Sequence, residues 1–352
     1  MRSLAVKILM CLCLLCGLTA GVPAAEAGLI SREQEIEMGR SYGQELEARY
    51  GVVQDPLIQE RLDKIGQRLA KVSGRTDIEY SFKVLNNDEV NALACPGGFI
   101  YVYRGLLDYM SSDAELAGVL GHEIGHVAKK HTVHAMEKQL WTTILMIAAT
   151  KGMGWGLAQM LQQALLAGYS RTDERGADKE SVRNTIEAGF NPYSMLIAAF
   201  KLEDLAAQEG APNYGLFSSH PEPEERIRRV LKQLAPYNIK PTMSVTADKH
   251  AIVSEDDWSF SVTQDIGSTK AEYRAYLLAG ALWQVRRQGE IEPYRFVVYD
   301  NGAYAHIYYD DIQVHTIYRQ DTDGRSAGAY AAAVVDKFKL WAEMVNKKPQ
   351  TN

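Results

Sequence analysis

Residues Gly121–His131 read GHEIGHVAKKH, and this run restricts the chain more than any other. Two histidines four apart on a helix project from the same face about one turn from each other, where they can share one cation. Glu123 follows the first of them and sits beside that face, placed to take a proton from water that a metal has made acidic and to return it to a leaving amine. A capping box, Ser112 with Glu115, predicts a helix start at Asp113, because the two side chains satisfy otherwise orphaned backbone donors. That helix is expected to run through His131 and on toward Lys138.

A catalytic zinc needs a third protein ligand and an open position. The metzincin pattern wants Gly at 129 and His at 132, where the chain has Lys129 and Thr132. His131 is off register and reads as packed or hydrogen-bonded. His134 faces the correct side of the helix but lies roughly 12 Å along it. A carboxylate on a later helix remains, and Glu174 in SRTDERGAD is the candidate. Asp178, one turn further on the same face, can orient a ligand histidine through its free ring N–H. Taken alone, the pair reads more often as a solvated charged face; beside the preceding helix the balance reverses.

The surroundings are consistent with a folded, exported enzyme. The 352 residues suffice for two modest domains, and the formal charge of −6 without a basic cluster argues against a nucleic-acid binder. Arg2 and Lys7, an apolar stretch from Ile8 to about Thr19 and the small residues ending at Ala27 form a secretory signal, with cleavage expected after Ala27. An uncleaved anchor is the competing reading. Cys11, Cys13 and Cys16 leave with the signal, so the remaining Cys95 cannot form an internal disulfide and reads as a buried thiol.

Periodicity predicts helices over 31–50 and 55–72, strands over 80–85 and 99–103, and helices ending near Gly189, Gln208 and Gln233. From Leu140 to Ser170 only Lys151 is charged. That stretch reads as a buried helical hairpin, with membrane-surface contact as the alternative. Ala235–Pro241 is the candidate linker, after which the texture becomes α+β, with Asn301-Gly302 as a hairpin signal. With Asp310-Asp311 as a two-residue turn, His306 and His315 would fall opposite each other.

Four motifs in order carry a resemblance: Asn91–Gly98 (N-A-x-x-x-P-G-G), HEIGHVAKKH, SRTDERGAD and the S-H-P at Ser219–Pro221 before Arg226-Ile227. Over about Leu29–Leu234 the chain resembles the CAAX prenyl protease-type (gluzincin) zinc metallopeptidases, and within them the periplasmic BepA/LoiP-like branch. The resemblance implies one Zn2+ per chain on His122, His126 and Glu174, Glu123 as catalytic acid–base and Asp178 behind a ligand. It also implies that the strand at Gly97 and Gly98 lines the substrate cleft as an edge. His220 is expected either to stabilise the oxyanion or to occupy the open metal position. The expected fold is a mostly helical zincin-like domain with a small sheet (28–238), then a small α+β domain (243–347) of unknown role, with 1–27 as signal peptide. The expected function is an exported zinc metalloendopeptidase acting on unfolded or membrane-associated envelope proteins. The alternative is a chaperone-like factor with a latent site.

Overall fold

The computed structural model describes residues 28–150, 157–209, 223–248 and 250–347. Helix α1 (Arg32–Tyr50) opens under a capping box of Ser31 with Gln34, and α2 (Pro56–Ala70) opens under Asp55, with Pro56 in its first turn where the missing N–H costs nothing. The first sheet has order β1-β3-β2. Its central strand β3 (Phe99–Tyr103) runs parallel to β1 (Ser81–Leu85) and antiparallel to β2 (Ala92–Cys95). Four consecutive β3 residues are buried, which explains an apolar run without alternation.

After the short α3 (Arg104–Tyr109) comes α4 (Asp113–Ala128), capped by Ser112 and Glu115 as expected. Every residue from Glu115 to Val127 is buried, so α4 is a core helix enclosed on all sides and carries no clear amphipathic stripe.

The expected continuation through His131 does not occur. The helix closes with Lys129 N donating to Gly125 O and Lys130 N to Val127 O, and Lys130 takes the left-handed φ of 54°. A new helix, α5 (His131–Thr150), then starts. With α6 (Leu157–Leu166) it forms a helical pair in which Met136, Met160 and Leu161 are buried and pack against Met38 and Tyr42 of α1. Residues 151–156, between them, lie outside the described residues. No helix among the described residues is long and apolar enough to cross a membrane.

Helices α7 (Arg171–Glu187), α8 (Ser194–Glu209) and α9 (Pro223–Leu234) complete this part. Two antiparallel sheets follow. The first is β4 (Thr242–Val245), β5 (Ala251–Glu255) and β6 (Trp258–Val262), and the second β7 (Phe296–Asp300), β8 (Tyr304–Tyr309) and β9 (Ile312–Tyr318), each in sequence order. They alternate with α10 (Ala271–Arg286) and α11 (Ala327–Asn346). The fold is therefore a mostly helical unit with a small sheet, followed by a small α+β segment, as expected. One apolar cluster links them, running from Val182, Leu196 and Val230 through Ile239 to Phe260, Leu278, Phe338 and Trp341. Ile239, inside the candidate linker, is buried in it, so the chain is tied down there.

The two-residue turn at Asp310-Asp311 is present, but His306 and His315 are not opposite each other. A register shift beyond Ile307 pairs His306 with Thr316 and Ile307 with His315. The extra residue turns the two imidazoles to opposite faces. His315 goes inward against Phe260, whereas His306 stays half-buried on the outer face.

Burial, and then the nearby Arg274, hold His315 down at about 3. Unfolded, the imidazole returns to its ordinary value near 6.5. Between those limits the unfolded chain binds a proton that the folded chain refuses, so unfolding free energy falls as pH is lowered from about 6.5 toward 3. His315→Leu should remove that share of the slope, about 1 kcal/mol per pH unit relative to the parent. Denaturant unfolding of both proteins between pH 6 and pH 4.5 checks it, and parallel slopes would refute it.

Candidate metal centre

The site begins with glycine. Gly118, Gly121 and Gly125 lie on one face of α4, and that face meets α7 and the start of α8. A Cβ on Gly121 would stand 2.8 Å from Ser181 Oγ, and one on Gly125 would stand 3.0 Å from Ala177 Cα. On Gly118 it would run into the Ser194 carbonyl. With hydrogen in place of methyl, Ser181 Oγ donates to Gly118 O at 2.8 Å and the backbones close up.

Closure of α4 on α7 brings His122 and His126 against Glu174 and Asp178. All four, with Glu123, are buried. The two Nε2 atoms are 3.0 Å apart, with Glu174 Oε1 3.3 Å from His126 Nε2 and Glu174 Oε2 3.5 Å from His122 Nε2. His122, His126 and Glu174 each offer a ligand atom within 4.8 Å of the others.

The rings are held from behind. His122 Nδ1 lies 3.0 Å from Asp178 Oδ1, and His126 Nδ1 lies 3.0 Å from His131 Nδ1. A proton on His122 Nδ1, facing the Asp178 carboxylate, leaves the Nε2 lone pair directed into the cluster. Buried imidazole nitrogens and a carboxylate oxygen converging in this way form a donor set that fits a divalent cation. His131 reaches His126 only because α4 breaks at Lys130, and its Nε2 lies 3.7 Å from Asp173 Oδ1. Tyr169 stacks on His126 with ring centres 3.7 Å apart and planes at 26°, and its hydroxyl is 3.0 Å from Thr132 Oγ1.

Arg226 on α9 is part of the site that spacing did not reveal. Its guanidinium donates to both Asp178 oxygens, at 2.9 and 3.1 Å, and to Glu174 Oε2 at 2.7 Å. Burial works against that charge, and Asp178 and Glu174 more than restore it. Burial likewise pushes the Asp178 carboxyl up, but Arg226 and the His122 contact outweigh this and hold it at about 2. The only sequence signal was the place of Arg226 behind the S-H-P motif.

The other expected residues fall as follows. Glu123 lies near enough to Cys95, Tyr169 and Arg226 to act on each electrostatically. Cys95 is fully buried, and burial pushes its thiol up, away from reactivity. His134 is exposed on α5. His220 lies outside the described residues. Gly97 and Gly98 form a buried turn between β2 and β3, with φ of 74° and 96°. The sheet edges are β1 and β2, and β2 is the one packed beside α4. Gly97 N donates to Glu35 Oε1, and Arg75 joins that carboxylate to Val127 O at the end of α4. This buried node fixes the turn against the histidine helix.

Two histidines and a carboxylate gathered on adjacent buried helices, with an acidic residue beside the first histidine, define the class of helix-borne metal centres found in metallopeptidases. The chain belongs to Peptidase family M48, whose profile matches residues 56–234. It is 30% identical over 212 residues to the beta-barrel assembly-enhancing protease of Escherichia coli (strain K12), covering 56% of this chain and 43% of that one. Metalloprotease YcaL of the same organism is 33% identical over 192 residues (51% and 73%), and metalloprotease LoiP 28% over 233 (63% and 89%). The chain spans about half the length of the beta-barrel assembly-enhancing proteases it matches.

Because the glycine face sets the helix spacing, Gly118→Ala should destabilise the fold by about 2 kcal/mol through overpacking. The substitution would otherwise gain about 1 kcal/mol of helix propensity. Urea unfolding measures the net effect, and a more stable variant would show that α4 can move away from α8 without cost.

Proposed function

We propose that this chain is a zinc-dependent metalloendopeptidase. His122, His126 and Glu174 hold the metal, and Glu123 is the catalytic acid–base. The observation that carries the reading is the buried convergence of the two Nε2 atoms with the Glu174 carboxylate while Asp178 holds His122 from behind. When bound, zinc supplies Lewis acidity toward water and toward a peptide carbonyl. The protein's residues do the rest. Glu123 accepts the proton that water gives up and delivers it to the departing amine. Asp178 and His131 keep the two imidazoles in orientation, and Arg226 balances the carboxylates so that they remain ionised together in a buried site.

The edge strand β2, beside α4, is where an extended substrate can add main-chain hydrogen bonds, with the Gly97-Gly98 turn closing its far end. His220 follows as a contributor to the same centre, as oxyanion donor or as an occupant of the open metal position.

Residues 1–27 are the secretory signal in this reading, residues 28–238 the peptidase domain and residues 243–347 an appended domain, and the protein works outside the cytoplasm. The matched relatives, one of them named for β-barrel assembly, support a role in envelope protein quality control. Unfolded or membrane-associated proteins would be the substrates, with the apolar 140–170 segment as the candidate contact for them or for a membrane surface.

The test compares the purified protein with Glu123→Gln on an unfolded model protein, with bound zinc quantified in both. Each should hold one zinc, and the variant should cut at least ~100-fold more slowly, the smaller limit of general acid–base contributions. A chelator should abolish cleavage by the parent, and added zinc should restore it. Zinc in both with cleavage by neither would mean either a site closed by His220, which His220→Ala should open, or, if that variant is also inert, a client-binding protein that keeps its metal for structure.

A further inference from the structure

The second feature that could hold a ligand lies away from the metal cluster. A groove of about 800 Å3 opens between the first turn of α4 and the β7-β8-β9 sheet. Asp113, on its wall, precedes His122 by nine residues, roughly 14 Å along α4 at 1.5 Å per residue. The groove and the histidine cluster therefore occupy different ends of one helix.

One wall is aromatic. Tyr304, His306, Tyr308 and Tyr318 come from the outer face of β8 and β9, and all four are partly exposed. Their rings are contiguous, with centres 4.7 Å apart for Tyr304 and His306, 5.8 Å for His306 and Tyr308 and 5.9 Å for Tyr304 and Tyr318. The facing wall is close: Asp113 acts electrostatically on Tyr308, and Glu115 on Tyr318. Exposed Gln313 also lines the groove. Its amide donates to Thr316 Oγ1, accepts from the Tyr308 hydroxyl and keeps a second N–H and a second lone pair, whereas the amides of Asn191 and Gln284 are held by the Leu277 and Gly189 carbonyls.

Its cationic groups are already engaged, while the carboxylates of Asp108 and Asp311, which also line it, form no ion pair among the described residues. Arg61 bonds Asp113 at 2.7 Å, Arg274 bonds Asp321 at 2.6 Å, and Lys201 lies 3.3 Å from Glu115. Arg68 donates to Ala188 O and lies over the Phe190 ring. Nothing here offers the excess positive field that a polyanion requires. The strand edge is partly occupied too. Arg274 donates to Thr316 O at 3.0 Å, and Tyr318 N donates to Asp321 Oδ2 at 2.9 Å, so an extended polypeptide finds two of the backbone groups at the end of β9 already bonded.

What remains is a wall of rings with an exposed amide and hydroxyls around it, and that combination fits a sugar. The C–H face of a pyranose carries slight positive charge and suits the negative face of an aromatic ring, while its hydroxyls donate to and accept from amides. We propose that this groove is a binding site for a neutral oligosaccharide, seated on Tyr304, Tyr308 and Tyr318 and hydrogen-bonded by Gln313 and its neighbours. The proposal does not depend on the metal centre. The bland account is that these tyrosines only stabilise the sheet through cross-strand contacts. It predicts no ligand.

The experiment is calorimetric titration of the purified protein with tetra-N-acetylchitotetraose and with cellotetraose, beside the double variant Tyr308→Ala/Tyr318→Ala. At least one sugar should bind the parent with Kd of ~1 mM or tighter, and the double variant should lose ~10-fold or more. A second readout needs no variant. At ten times Kd the sugar should cut diethylpyrocarbonate modification of His306, read by peptide mass, to about a tenth, the fraction of groove left free. The proposal is overturned by the absence of binding to ~20 mM, far above that Kd. Binding unchanged in a folded double variant overturns it too, as does protection of His306 by a reduced, carboxymethylated polypeptide but by neither sugar.

Discussion

The close approach of α4 to α7 is the constraint on which the rest of the molecule depends. Two buried helices whose facing positions carry ordinary side chains stand about 8–10 Å apart, and the glycines at 118, 121 and 125 remove the atoms that would hold them at the wider end. Four side chains then meet without reaching: the two imidazoles from one helix, and Glu174 and Asp178 from the other. The surrounding close-packed core leaves these buried side chains few other rotamers.

Such proximity has an electrostatic cost. Glu123, Glu174 and Asp178 share a buried volume, where uncompensated carboxylates would take up protons. Arg226 reduces that cost by binding Asp178 and Glu174 together, and the two buried Nε2 atoms with the Glu174 carboxylate form a donor set that suits a further cation. The fold thus couples the site to α9, the helix that follows residues 210–222, and any shift of that helix is felt at the carboxylates. At the opposite end the Glu35–Arg75 pair ties α1, the Gly97 turn and the end of α4 into one node, so the sheet edge and the histidine helix move as a unit.

The C-terminal α+β segment is packed into the same apolar cluster as α7, α8 and α9. It is therefore a fixed wall beside the peptidase helices. Its partly exposed tyrosine face lies at the start of α4, so the helix that carries His122 and His126 also borders the groove. The family profile ends at residue 234, before this wall, so its chemistry has to be read from its own residues.

Much of the site was legible in the sequence because it depends on neighbours in the chain. The four-residue spacing of His122 and His126 places both on one face in any helix, and Ser112 with Glu115, Ser31 with Gln34 and Asp55 before Pro56 mark helix starts through local backbone bonding. Glu174 and Asp178 could be nominated by the same spacing, though spacing does not tell a ligand from a solvated face. Tertiary structure alone decided that they turn inward, since that choice rests on the fit of Ala177 and Ser181 against bare glycine. It decided the reach of Arg226 across more than forty residues. It also decided the break at Lys130, where one left-handed dihedral carries His131 beneath His126, and the register shift that parts His306 from His315. Periodicity is fixed by bonds between near neighbours, while a helix break, a bulge or a long-range ion pair is fixed by which surfaces find room to pack.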